Sequence, residues 1–144
     1  MMISGKTKLY ALAFLVVFTV YDILINQIFV ATGAWHLISN YYIATWLLLT
    51  PALIILFTAA TKNLLFPLWT ATFIYGGWLD ILFFVFQLQP LPARYTWLPH
   101  QPTNVEIVVI ASTLTVLVSM FEKKINSLQA KPQSEKPEWL NLFA

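Results

Sequence analysis

Cysteine is absent from the 144 residues. Disulfides, thiolate metal sites and thiol redox chemistry are excluded with it. Charge is nearly as scarce, at 10% of the chain, against roughly 25% in a soluble domain. So few charges cannot clothe a water-exposed surface. The net charge of +2 is too small to attract nucleic acid, and no nucleic-acid partner is expected. Histidine is limited to His36 and His100. Neither interrupts an apolar run, so a bis-histidine haem between helices is not expected. The HExxH, CxxC, GxSxG and P-loop patterns are all missing, and with them the chemistry that each supports.

What is present is apolar length. Hydrophobic residues make up 59% of the chain, and mean hydropathy is +0.73. A transmembrane helix needs about 20 mostly apolar residues in succession. Four segments qualify, at 9–31, 41–60, 64–88 and 105–121. Backbone groups in hydrocarbon must bond within their own segment, which makes these segments helices. The expectation is an all-α integral membrane protein, multi-pass in the cell membrane: one four-helix antiparallel bundle over residues 1–126, followed by a polar cytoplasmic tail over 127–144. The first run is too long for a signal peptide and is interrupted by Asp22, Asn26 and Gln27, so it is read as a retained helix.

Lysine placement sets the orientation. Lys6 and Lys8 precede the first run, Lys62 lies between the second and third, and Lys123, Lys124, Lys131 and Lys136 follow the fourth. The other side holds only Arg94. Positive charge stays cytoplasmic, which places both termini inside and the loops at 32–40 and 89–104 outside. Pro90, Pro92, Pro99 and Pro102 stiffen the second outer loop, since each fixes one backbone angle. Tyr95, Trp97 and Leu98 give it an apolar face, suited to an interfacial anchor or to a lid. Trp139 to Phe143 form an apolar patch in the tail that suits the inner interface.

Against this background three carboxyls stand out. Asp80 is the only formal charge between Leu64 and Leu88, Asp22 interrupts the first run, and Glu106 opens the last. An aspartate at the centre of a membrane helix costs about 2.5–3.5 kcal/mol on insertion scales. A proton, a partner cation or a water-filled cavity offsets that cost. Helical spacing puts Asp22 with Asn26 on one face, and Thr72, Gly76, Asp80 and Gln87 on another. The expected site is therefore an interior polar patch in the outer half, with Asp22, Asn26, Asp80 and Gln87 at its centre and Arg94 or Glu106 at its mouth. Each polar group also has a plain reading as interhelical packing glue, and Gly76-Gly77 as a packing notch beside Asp80. Pro51 is expected to kink the second helix. A metal would have to draw on Asp22, Asp80, Glu106 and His100. Their spacing does not require one, so no metal or cofactor is assigned.

Tyr21-Asp22, Gly33-Ala34-Trp35, Tyr41, Pro51 and the stretch Leu79 to Phe84 loosely resemble the lycopene cyclase domain of small carotenoid enzymes. The likeness covers about a third of the chain. It implies an intramembrane fold acting on an isoprenoid. The paired glutamates of that family are replaced here by Leu53 and Ile54, and the acidic site of the third segment holds one carboxyl. No catalytic role is carried over.

Three functions fit these residues. One is a membrane protein that binds or translocates a small ligand, cation or lipid through Asp22 and Asp80. Another is an intramembrane lipid or isoprenoid enzyme with Asp80 as general acid and Asp22 as its counter-charge. The third is an accessory subunit of a larger membrane complex. The bilayer is a partner in all three, and the first calls for a homo-oligomer.

Overall fold

The computed structural model describes residues 3–98 and 100–129. Every regular element among them is helical, and one isolated bridge joins Arg94 to Thr103. Helix α1 spans Ile3–Thr32. A 3-10 turn at Trp35–Leu37, helix α2 at Ile38–Tyr42, a π segment at Ile43–Leu49 and helix α3 at Thr50–Thr61 follow without a break. Helices α4 (Leu65–Tyr75), α5 (Trp78–Phe86) and α6 (Asn104–Gln129) complete the order. Three helices are long and apolar enough to cross a membrane, and α4 with α5 makes a bent fourth candidate. Helices α1 and α6 extend past the apolar runs into polar sequence, because a helix continues wherever its backbone bonds continue. The proposed insertion of Trp139 to Phe143 into an interface lies outside the described residues.

Pro51 sits at the start of α3 and cannot donate a backbone hydrogen bond. The chain answers with a wider turn instead of a break. Thr50 donates its N–H to the Thr45 carbonyl, five residues back, and its hydroxyl to the same oxygen at 2.7 Å. In that register the Pro51 nitrogen would face Trp46, whose carbonyl is left over. The Tyr75 hydroxyl donates to that carbonyl at 2.6 Å, so the missing bond is made up from α4. The kink expected at Pro51 is thus a π segment within one continuous helical stretch, Trp35–Thr61.

The third apolar run departs most from expectation. It is two helices bent by 57° rather than one rod over 64–88. Gly76 closes α4, its N–H bonded to the Thr72 carbonyl at 3.0 Å. Gly77 follows at φ +106°, a region that L side chains avoid. This is a glycine stop of the kind that ends many helices. Gly77 then accepts the first bond of α5, from the Ile81 N–H at 3.1 Å. The same glycine is also the packing notch, because a Cβ there would lie 2.8 Å from Cγ1 of Ile107 on α6.

This bent segment lies at the centre of the fold. Helix α1 packs on α4 and α5, α3 on α4, and α6 on both α4 and α5. Leu15 and Phe18 meet Ile74 and Leu79 in one apolar cluster, and Ile81 meets Tyr95, Ile107 and Ala111 in a second. A third joins Ala11, Trp69 and Val118. The outward faces of α1, α3 and α6 carry exposed Leu, Val and Ile, a surface compatible with lipid. At the end carrying Lys62, the ion pair Lys8–Glu122 closes at 3.1 Å, with Glu122 only 2% exposed. The Trp69 indole donates to the same Glu122 oxygen at 3.0 Å, and Lys8 stands over the Trp69 ring. Asn63 donates to the Thr7 hydroxyl at 2.6 Å. The start of α1, the 62–64 turn and the last turns of α6 therefore meet at one level.

Gly77→Ala is expected to destabilise the protein by about 1–3 kcal/mol through the forced positive φ and the clash with Ile107. Thermal unfolding in detergent measures this, with Gly5→Ala, in open space, as the control that changes little.

Candidate functional site

The 57° break decides where Asp80 goes. Gly77 caps α5, which puts Asp80 in the first turn of a new helix. Backbone N–H groups there lack helical partners and the helix dipole is positive. A carboxyl in the middle of an apolar run thus gains favourable electrostatics that an unbroken helix would deny it. Trp97, from the loop between α5 and α6, donates its indole N–H to Asp80 Oδ1 at 3.2 Å.

Asp22 is held from two sides on α1. It is 5% exposed. The Tyr41 hydroxyl of α2 donates to its Oδ1 at 2.7 Å. Asn26, one turn along α1, donates to the Asp22 carbonyl at 2.9 Å and to Oδ1 at 3.4 Å. The spacing of Asp22 and Asn26 produced the shared face read from the sequence. The bond from Tyr41 crosses between helices and left no such mark.

Asp22, Asn26 and Asp80 line one cavity of about 500 Å³. The rest of the wall is aromatic and aliphatic: Tyr42, Trp46, Tyr75, Phe83, Phe84 and Trp97, with Ile43, Leu47, Ile74, Leu79 and Leu98. Helix α6 contributes nothing to it. The wall formed by Ile43, Leu47 and Tyr75 is exposed at the flank of the helices. The volume is within the roughly 300–1,000 Å³ of small-molecule sites.

The loop after α5 lies over this space. Tyr95 is fully buried against Ile81, Ile107 and Ala111, and its N–H bonds the Pro102 carbonyl at 2.9 Å. Burial first, and then the charge of Asp80, hold the Tyr95 phenol above its ordinary pKa, so it stays neutral. With Tyr95 as the anchor, Trp97 stacks on Phe84 with centroids 6.0 Å apart. Trp97 and Leu98 thereby reach the cavity. The proline-stiffened loop is a cover of the kind its apolar face allowed.

Three of the expected site residues lie elsewhere. Gln87, just past the end of α5, donates its amide to the Phe83 carbonyl one turn back at 3.0 Å, and is not in the cavity wall. The bend at Gly77 breaks the helical register that aligned it with Thr72. Arg94 is exposed and pairs by its backbone with Thr103. Glu106 is not in the cavity wall either. Its Oε2 accepts from the Thr103 N–H at 2.7 Å and from the Thr103 hydroxyl at 3.0 Å, while that hydroxyl accepts from the Glu106 N–H at 3.2 Å. This is a capping box at the start of α6. Thr103-x-x-Glu106 before an apolar run is its sequence signature, and that signature accounts for the carboxyl. Most of the hydroxyls on the helices bond carbonyls one turn back, as Thr72, Thr115 and Ser119 do, which is structural work.

Among the described residues, the only ion pair is Lys8–Glu122, and no group of three His, Cys, Asp or Glu is placed to hold a metal. No family model, no curated protein and no solved structure matches the chain. The cyclase likeness rests on the short motifs quoted above.

Tyr41→Phe removes the one hydrogen bond that crosses from α2 to Asp22. It is expected to cost about 1–3 kcal/mol, the penalty for a buried group losing its partner. Denaturant titration of the detergent-solubilised protein reads this, with Tyr10→Phe, an exposed tyrosine, as the reference.

Proposed function

We propose that the chain is an integral membrane protein of the cell membrane, crossing it four times as an antiparallel bundle with both termini cytoplasmic, and that it holds a small ligand between Asp22 and Asp80. The observation carrying this is the pair of aspartates from different helices on one cavity of about 500 Å³. Carboxyls at membrane depth are costly and tend to mark ion, proton or substrate sites. The broken segment adds support. Discontinuous helices that present an open helix end to a cavity are a common way to build ligand sites within a membrane. The lysines at 6, 8, 62, 123 and 124 support the orientation, which puts the cavity in the outer half. Transport through so few crossings requires a homo-oligomer or a partner in a membrane complex. The aromatic wall beside Asp80 also suits an isoprenoid reaction through a cation, with Asp80 as the acid. Turnover of a bound isoprenoid is what separates that reading from binding alone.

Purification in mild detergent, with mass determination and extraction of bound small molecules, tests the site. The wild type is expected to carry a bound molecule that Asp80→Asn loses while keeping its helical circular dichroism and its mass. A wild type with nothing bound counts against the proposal.

The cysteine-free chain makes the orientation directly measurable. In intact bacterial cells a membrane-impermeant maleimide should label His100→Cys, and should label Ser127→Cys only after permeabilisation. The reverse pattern rejects the orientation.

A further inference from the structure

Resting on the ligand site just proposed, we infer that its ligand is a lipophilic organic monocation, such as a substituted ammonium. Three features of the cavity converge on that class.

The first is charge. Two carboxyls face the space, and among the described residues no Lys or Arg pairs with either. Their hydrogen-bond donors are neutral: Tyr41 and Asn26 at Asp22, and Trp97 at Asp80. A positive ligand supplies what these donors do not, and an anionic one would meet two like charges.

The second is the wall. Tyr42, Trp46, Tyr75, Phe83, Phe84 and Trp97 all line the space. The faces of such rings attract a cation, more strongly when water is excluded, and cages of this kind recognise quaternary ammonium groups. A hard metal ion gains little here. Calcium takes six to eight oxygen ligands and magnesium near-octahedral oxygen geometry, whereas this lining offers two carboxylates among hydrocarbon. A proton would neutralise Asp22 or Asp80 without needing either the volume or the rings.

The third is access. Ile43, Leu47 and Tyr75 are exposed on the helix flank where the cavity reaches the surface. On the proposed membrane placement that flank faces acyl chains. An amphiphilic cation partitions there, apolar body first, while the cover formed by Trp97 and Leu98 shields the opposite side.

The test uses the full chain in lipid nanodiscs and two probes. One is (4-phenylbutyl)trimethylammonium. The other is its neutral isostere, with carbon in place of the nitrogen. Binding is measured by equilibrium dialysis against protein-free nanodiscs. The wild type is expected to bind the cation saturably and at least tenfold more tightly than the isostere. Asp80→Asn and Asp22→Asn should each remove at least tenfold from the cation's affinity and leave the isostere unchanged, while Asp80→Glu keeps the preference. Equal binding of both probes by the wild type overturns the inference and leaves the ligand cavity standing. Saturable binding of neither overturns the cavity reading as well. The wild-type comparison needs no substitution, so it decides the matter even where an Asn variant does not fold.

Discussion

The close approach of Gly77 to Ile107 is the constraint on which the rest depends. A side chain at Gly77 would strike Ile107, and the positive φ there suits no other residue type. The helix that would otherwise cross from Leu64 to Leu88 therefore stops and restarts. Restarting gives Asp80 the first turn of α5, with its open N–H groups. It also swings α5 by 57°, which sets Phe83, Phe84 and Asp80 against the space beside α1 and α2. Without the break Asp80 would be an unsupported charge midway along a membrane helix.

The second candidate span responds to a different lesion in a related way. Pro51 removes one backbone donor, the π segment absorbs the change, and Tyr75 from α4 makes good the Trp46 carbonyl. Both irregular stretches border the cavity, and Trp46 and Tyr75 belong to its wall. Irregular backbone at membrane depth is tolerated where protein or a cavity, not lipid, surrounds it. The ionic staple lies elsewhere: Lys8, Glu122 and Trp69 clamp α1, α4 and α6 together, and none of the three lines the cavity.

The helices were legible in the sequence because apolar length and backbone satisfaction leave one solution. The break was legible too, in Gly76-Gly77, a dipeptide that marks turns, but a membrane helix also uses glycine for packing. Here the pair does both, ending α4 and admitting Ile107 of α6. Glu106 carries a similar double signal. Its distance from Thr103 signals a capping box, yet its position at the start of an apolar run resembles that of a functional carboxyl. Glu122 follows Phe121 just beyond the last apolar run, where nothing in the local sequence sets it apart. Only the packing of α6 on α4 buries it against Trp69.

The sequence by itself determined a chain of long apolar helices with isolated acids, since hydrophobic length and charge scarcity are properties of local composition. It also determined that Asp22 and Asn26 share a face, a matter of one helical turn. Tertiary structure alone decided which acids meet. Asp22 and Asp80 are 58 positions apart, and their common cavity depends on a bend angle and on the seating of Trp97 over Phe84. Both are set by contacts between elements distant in the chain, which no local pattern encodes.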